Sequence, residues 1–458
     1  MFPLADVLAV AKIHPFYNEG VEYPPDQIAI QKALRLGAEQ AKEITLESFP
    51  LLTKKDLYHV IDRLLKDPST GNEFRRSAYL STTGGGSGAL PLMFATDTIE
   101  NRRHRADFGG FMRACQVIDS GDMVLTTHTS GHLYRSLDLI SELLENAGAS
   151  VLCAGSRMPT AEVVEVLGHY HANVLTGDSS QIVQVVHHIS TLPPEQKKDI
   201  RLTKVIYTSD ALTEAQESYI ISVLGRIKIL SILGSAEAGP FAISNPELTT
   251  ESPPKGRRDF IFDTRAMMIE IHQPAVIQDD SHPCGKQLPL GEQGIIIQTS
   301  LQRLRNPIVK YITGDIGSLH SISDRARGKI PEAEIKHFQV LRLEGRDRRF
   351  SFKWFGEYFN FQSVSDLMQS ARTGVLEWQI ILDSLSSSPQ GTLEVRIFRA
   401  ADGGHISPRE DFVRMIESFF WVFPENRHLF RVVFMNGLEG FEKSSTGRKI
   451  IRFVDRFN

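Results

Sequence analysis

Between residues 120 and 240 the chain alternates short apolar runs with stretches of helical periodicity. The run at 124–125 precedes residues 134–146, where Leu137, Ile140, Leu143 and Leu144 share one helical face and Gly148 marks the stop. Further apolar runs at 150–153, 172–175, 204–207 and 227–233 read as buried strands, with helices over 161–167, 181–189 and 213–224 between them. Repeated strand and helix alternation predicts a parallel, doubly wound sheet, in which ligands bind beyond the carboxyl ends of the strands.

The pattern changes near residue 345, after an arginine-rich patch of Arg342, Arg346, Arg348 and Arg349. Residues 350–361 read as a hairpin turning at Gly356; 378–382, 392–398 and 430–434 read as strands, and 363–370 and 408–419 as helices. The expected fold class is therefore α/β: a large N-terminal domain, 1–345, built on doubly wound, mostly parallel sheet, and a small α+β domain, 346–458. A chain of 458 residues is too long for one compact core.

Composition narrows the partners. With 41% apolar and 23% charged residues and a formal charge of −4, the chain reads as an ordinary globular protein without a polyanion-binding signature, so nucleic acid is not expected. Cys115, Cys153 and Cys284 are too few and too scattered for a disulfide framework and fit a reducing compartment. No apolar run reaches the roughly eighteen residues of a membrane span, and the N-terminus lacks a basic segment followed by an apolar one. A cytoplasmic protein with no membrane partner is expected.

Five short motifs carry candidate chemistry. Ser81 to Gly88 reads STTGGGSG, a loop whose backbone N–H groups and hydroxyls can cradle phosphate oxygens. Gly234 to Pro240, GSAEAGP, follows a predicted buried strand; its small residues let a planar ring approach the backbone, and Glu237 offers a hard oxygen ligand suited to Mg²⁺. Tyr311 to Gly317, YITGDIG, places Asp315 in a glycine-flanked turn where a carboxylate can accept two hydrogen bonds from a ribose diol. Gly345-Arg346-Asp347 precedes the small domain, and Ser444 to Arg452, SSTGRKIIR, closes the chain with basic residues on a Ser/Gly loop. Two histidines at 169 and 171 lack the third ligand of a metal site.

In this order the motifs resemble the adenylate-forming superfamily of acyl- and aryl-CoA synthetases, luciferase and peptide-synthetase adenylation domains, over nearly the whole chain from about residue 75. The branch most resembled is the phenylacetate-CoA ligase group, through the short N-terminal domain, the phosphate loop without lysine, the stretch GEQGIII from Gly291, and NPIVKYITGD from Asn306. The resemblance implies that Thr83, Gly84, Gly85, Ser87 and Gly88 contact the ATP phosphates. Gly234, Ser235 and Ala236 would line the adenine and acyl pocket, with Glu237 on Mg²⁺. Asp315 would hold the ribose with help from Arg346, Arg348 would be the hinge, and Lys449 would bridge the acyl carboxylate and the α-phosphate. Leu233 stands where the family often carries an aromatic residue, and Arg448 stands beside Lys449 in Gly-Arg-Lys.

The activity so implied is ATP-dependent conversion of a small carboxylic acid, aromatic or related, to an acyl-adenylate, followed by transfer to coenzyme A. The C-terminal domain would be mobile, exchanging the Lys449 loop for the Gly356 hairpin, where Gly356 flanks the pantetheine tunnel. His132 and Tyr134 are the candidates for contacting the acid; capping or packing of the next helix is the alternative for His132. Two other readings stay open: transfer to an amine or a carrier-protein thiol, and a catalytically idle nucleotide-binding relative. The identity of the acid and the oligomeric state are not readable from the residues.

Overall fold

The computed structural model describes residues 1–39, 45–82, 93–131, 133–208, 211–212, 214–249, 257–273, 287–346, 351–369, 373–385, 388–399, 407–442 and 450–456. Two compact units divide after Arg346.

The first unit is organised by one eleven-stranded sheet. Its strands lie in the order Met267–His272, Gly294–Ser300, Tyr311–Ser321, Phe338–Arg346, Arg258–Asp263, Gly239–Ser244, Lys228–Ser235, Lys204–Thr208, Val174–Asp178, Met123–Thr126 and Ser150–Cys153. The last five run parallel, through the pairs that start at Lys228–Ser235. Every other adjacent pair is antiparallel. Parallel pairing thus coincides with the stretch where strands and helices alternate in sequence. The antiparallel half comes from residues 239–346, where strands follow one another with little intervening helix.

Side-chain alternation explains why helices cover both faces of the parallel half. Val124, Val174 and Ile206 point into one buried cluster with Phe108, Phe111 and Met112 of the helix Thr98–Ala114 and Ile140, Leu143 and Leu144 of the helix Ser136–Ala147. Their sequence neighbours Leu125, Leu175, Val205 and Tyr207 face the opposite cluster, against Val163, Leu167, Ile182, Val186 and Ile220 from the helices Thr160–His169, Ser179–Thr191 and Glu214–Leu224. The predicted stop holds: Gly148 caps Ser136–Ala147 at φ +105°, a left-handed conformation that a side chain disfavours.

The N-terminal residues add three helices, Leu4–Ala11, Gln27–Glu39 and Lys54–Lys66. The third matters most for the site. Thr53 caps it by accepting the Asp56 N–H, and Leu57, Tyr58, Ile61 and Leu64 make its buried stripe. That stripe joins Phe74, Phe94, Ile308 and Tyr311, with Ala236 packed against the same cluster.

The second unit is a four-stranded sheet in the order Phe430–Met435, Ser388–Arg399, Val375–Leu385 and Phe453–Asp455, with a separate hairpin Ser351–Trp354/Glu357–Asn360. The hairpin and the helices Phe361–Gln369 and Arg409–Phe419 close over an aromatic core that includes Phe352, Trp354, Phe359, Trp378, Phe412 and Phe420.

Candidate active site

The Lys228–Ser235 strand is the seam between the two halves of the sheet. It ends at the carboxyl edge of the parallel half and returns through Ala236-Glu237-Ala238 into Gly239–Ser244, with Gly234 opposite Pro240 and Ser235 opposite Gly239. Close backbone approach fixes this turn's composition. A Cβ on Gly234 would lie 2.8 Å from the Gly239 carbonyl oxygen; Gly239 has φ +71°, and a Cβ there would lie 2.6 Å from His104. Ser235 Oγ accepts the Ala238 N–H at 3.0 Å.

Glu237, at the tip, is only 3% exposed. Its Oε1 accepts the Tyr58 hydroxyl at 2.8 Å and lies 4.0 Å from Lys54 Nζ. Burial alone would raise this carboxyl, but the Lys54 ammonium, its own backbone N–H and the Tyr58 and Ser235 hydroxyls together hold it below the ordinary glutamate value. Burial and the neighbouring carboxylate push the Tyr58 phenol well above its usual range, so it remains a donor. The result is a buried, ionised, hard-oxygen donor.

Beneath the turn sit two buried bases. His104 Nε2–H donates to the Pro240 carbonyl at 2.7 Å, and burial, followed by the Arg303 charge, brings His104 down to about 3, so its ring is neutral. Arg303 is held down at about 10 by burial, against the raising charges of Glu100 and Glu237. It donates to the Thr96 hydroxyl and lies 5.1 Å over the Phe94 ring. Both partners belong to the strand Met93–Asp97, which pairs antiparallel with Ala78–Thr82, Thr82 lying opposite Met93. These strands are the two arms of the glycine-rich segment. They therefore stand beside the Glu237 turn, joined to it through Arg303 and His104. The other arm is held at Tyr79, whose ring centre lies 4.5 Å from the Arg105 guanidinium and 4.2 Å from that of Arg135.

Asp315 is half-buried in a distorted stretch of Tyr311–Ser321. Gly314 has φ +78°, and the Thr313 hydroxyl donates to the Ile296 carbonyl at 3.2 Å while accepting the Asp315 N–H at 3.0 Å. On its other edge Asp315 lies directly opposite Arg346, the last residue of its strand. The expected ribose pair are thus cross-strand neighbours. Tyr58 packs with Ala236 and with Tyr311, which opens the strand that carries Asp315, so the helix Lys54–Lys66 links the Glu237 turn to that strand.

The predicted acid-binding segment is described in part. His132 lies outside the described residues; Tyr134 is half-buried, opposite Gly131 in a short ribbon. The buried histidine of this segment is His128. The Thr208 hydroxyl donates to Asp178 Oδ1 at 3.4 Å, so its oxygen accepts His128 Nε2–H at 2.9 Å, leaving Nδ1 to accept the Thr126 hydroxyl at 3.0 Å. Burial brings His128 down to about 4 against the nearby Asp178, which keeps that neutral tautomer. This chain lies at the carboxyl ends of three parallel strands, next to the strand that carries Glu237.

Thr83, Gly84, Gly85, Ser87, Gly88, Arg348, Arg448 and Lys449 lie outside the described residues, as does the side chain of Arg346. Gly356 occupies the predicted hairpin turn at φ +86°, after Phe355, which is 48% exposed and also left-handed at φ +47°. Sequence reasoning missed Lys54, Tyr58, His104, Arg303 and His128. The readable signal for the first two was their spacing of four on one amphipathic helix; each of the rest has a partner more than seventy residues away in sequence, Pro240, Thr96 and Thr208 respectively.

The mixed eleven-stranded sheet, followed by a small α+β unit, is the fold of the adenylate-forming enzymes. Two solved structures show the likeness. A 2-hydroxyisobutyryl-CoA ligase, in complex with 2-HIB-AMP and CoA in the thioesterification state, is 16% identical; the match covers 99% of this chain and 88% of that one at a TM-score of 0.64. The amide bond synthetase McbA from Marinactinospora thermotolerans is 13% identical over 98% of this chain and 92% of its own, at a TM-score of 0.50. No protein-family model and no curated protein matches the sequence.

Proposed function

We propose that the protein activates a small carboxylic acid with ATP to an acyl-adenylate and transfers the acyl group to coenzyme A, as an acid-thiol ligase of the phenylacetate-CoA ligase-like branch. The observation that carries this reading is the pairing of Asp315 with Arg346 across one strand edge while the helix Lys54–Lys66 ties that motif to the buried Glu237 turn. An idle relative would have no use for an ionised carboxylate held at the edge of a sheet by Lys54 and Tyr58.

In this reading the loop from Thr83 to Gly88, gathered by its paired arms, receives the β- and γ-phosphates through backbone N–H groups and hydroxyls. Gly234, Ser235 and Ala236 receive the adenine, and Asp315 accepts hydrogen bonds from the ribose diol with Arg346 beside it. Glu237 fits a magnesium ion. It is ionised, and Mg²⁺ takes one or two carboxylates along with substrate phosphates and water. When bound, the ion offsets phosphate charge in the displacement.

Lys449 aligns the acid carboxylate with the α-phosphate. A carboxylate oxygen attacks the α-phosphorus and the bond to pyrophosphate breaks; the coenzyme A thiolate then attacks the acyl carbonyl and the carbon–oxygen bond to AMP breaks. Domain 346–458 turns about Arg348 between the two steps and brings the Gly356 hairpin to the reacting centre. The acid rests against Ala236, His132 and Tyr134. An acid-panel pyrophosphate exchange assay tests the first step: exchange with at least one acid is expected, and its absence across a broad panel would overturn the reading. Acceleration of AMP release by coenzyme A tests the second step; release accelerated by an amine or a carrier protein instead would move the acceptor to the class of the amide synthetase.

A further inference from the structure

The Glu237 turn and the arm Met93–Asp97 meet at one buried guanidinium, that of Arg303, which is 3% exposed. Its segment is clamped to the arm. The Leu304 and Arg305 N–H groups donate to the Glu100 carboxylate at 3.2 and 3.0 Å, and the Arg305 guanidinium donates to Asp97, the last residue of the arm, at 2.9 Å. From there the Arg303 side chain reaches back along the arm to the Thr96 hydroxyl and the Phe94 ring. Its other flank lies against the turn, since a Cβ on Gly239 would stand 3.1 Å from Arg303 Nη2.

The charge on this fork is incompletely answered. Arg303 has no ion-pair partner among the described residues, and its buried Nε–H has no acceptor. Glu100 and Glu237 supply opposing charge from farther off, but burial brings Glu100 up to about 7, so near neutral pH it is only partly ionised. Lys54 adds a second cation beside Glu237, and His104 is neutral. At this junction the chain thus sets two cations against one firmly ionised carboxylate. A junction of that sign attracts anions and repels a free cation, and the two effects offset each other when both ligands arrive together.

We infer that Arg303 is a positioning residue with two roles: it fixes the arm of the glycine-rich segment against the Glu237 turn, and its charge makes that turn receive magnesium with the nucleotide rather than before it. The inference rests on the ATP-dependent reading above. Arg303→Lys keeps the charge and loses the fork, whereas Arg303→Met keeps the length and loses the charge.

The test separates charge from fit in the full chain. ATP is titrated calorimetrically in the presence of EDTA, and Mn²⁺, a paramagnetic stand-in for Mg²⁺, is titrated without nucleotide and followed by the electron spin resonance of the free ion. Arg303→Met should weaken metal-free ATP about tenfold and tighten nucleotide-free Mn²⁺ about tenfold, while Arg303→Lys leaves both within about twofold. Loss of packing alone would weaken both ligands. Shifts in one direction, no shift, or equal shifts in Arg303→Lys overturn the charge role. Arg303→Gln, neutral but still able to donate to Thr96, carries the same expectation should Arg303→Met not fold. Thr96→Val keeps the charge and removes its acceptor on the arm; turnover in acid-dependent pyrophosphate exchange at saturating ATP should fall about tenfold with Mn²⁺ affinity unchanged, and unchanged turnover overturns the fit. ATP that binds the unmodified protein neither with nor without Mg²⁺ overturns the ATP-dependent reading and this inference with it, whereas ATP binding without the opposed shifts overturns the inference alone.

Discussion

Tyr58 donates its phenolic proton to Glu237 Oε1 at 2.8 Å across 179 residues of sequence. Its own helix also brings Lys54 to 4.0 Å from the same oxygen, so the charge state of the turn is set by a helix that carries no recognised motif.

Removing this donor should be felt at the metal before it is felt by the acid. Tyr58→Phe strips one hydrogen bond from a buried carboxylate, a loss of about 1–3 kcal/mol. A several-fold rise in the Mg²⁺ concentration for half-maximal pyrophosphate exchange, with the KM for the acid unchanged, is the expected result. Glu237→Gln should lower exchange by about a hundredfold or more while the melting temperature stays near that of the unmodified protein. Full exchange in Glu237→Gln would remove Glu237 from the machinery.

Asp315 and Arg346 should act on nucleotide rather than on acid. Asp315→Ala is expected to raise the KM for ATP about tenfold with little change in that for the acid, since two charge-assisted hydrogen bonds to a diol are lost. Replacement of ATP by its 2′-deoxy analogue should cost the unmodified enzyme much and the variant little. Equal penalties in both would show that the carboxylate does not touch the ribose.

Three histidines are buried neutral: burial brings His14 and His104 to about 3 and His128 to about 4, against 6.5 for the free side chain. A depressed folded-state value means that the stabilisation is fully present above pH 6.5 and is lost as pH falls through the folded values. Each such site contributes a slope of up to about 1.4 kcal/mol per pH unit below pH 6.5. Denaturant midpoints measured from pH 7 to pH 4 should therefore fall steeply, and His128→Asn should flatten the fall by about one proton. A flat profile would mean that these rings are solvated.

The C-terminal loop separates the two half-reactions. Lys449→Ala should suppress pyrophosphate exchange about a hundredfold or more and leave thioester formation from supplied acyl-adenylate nearly intact. If Arg448→Ala alone has that effect, the role belongs to Arg448.

Local pattern made the parallel half legible. Leu137, Ile140, Leu143 and Leu144 announced a helix, Gly148 its end, and the strand and helix alternation its sheet, because each signal lies within a few residues of what it determines. The antiparallel half was silent: Arg258–Asp263 and Phe338–Arg346 pair across about eighty residues, and nothing in either run names its partner. The same limit governs the site. Glu237 stands in a glycine-bearing turn and Asp315 beside a glycine, within a strand where a turn was expected, and chemistry can recognise both, whereas Tyr58, His104 and Arg303 are meaningful only once folding brings them to the Glu237 turn. His128 becomes meaningful in the same way, through Thr208 at the end of a strand eighty residues away.

The seam strand Lys228–Ser235 has a further consequence for how the protein comes to be active. Its antiparallel edge closes locally, through a three-residue turn, and hairpins of this kind form in microseconds. Its parallel edge must wait for crossover helices and for contacts distant in sequence, which form slowly. Glu237 is enclosed only when both edges and the N-terminal helix are in place. Metal and nucleotide affinity should therefore be the last property gained in refolding, making ligand binding a direct clock for completion of the whole first unit.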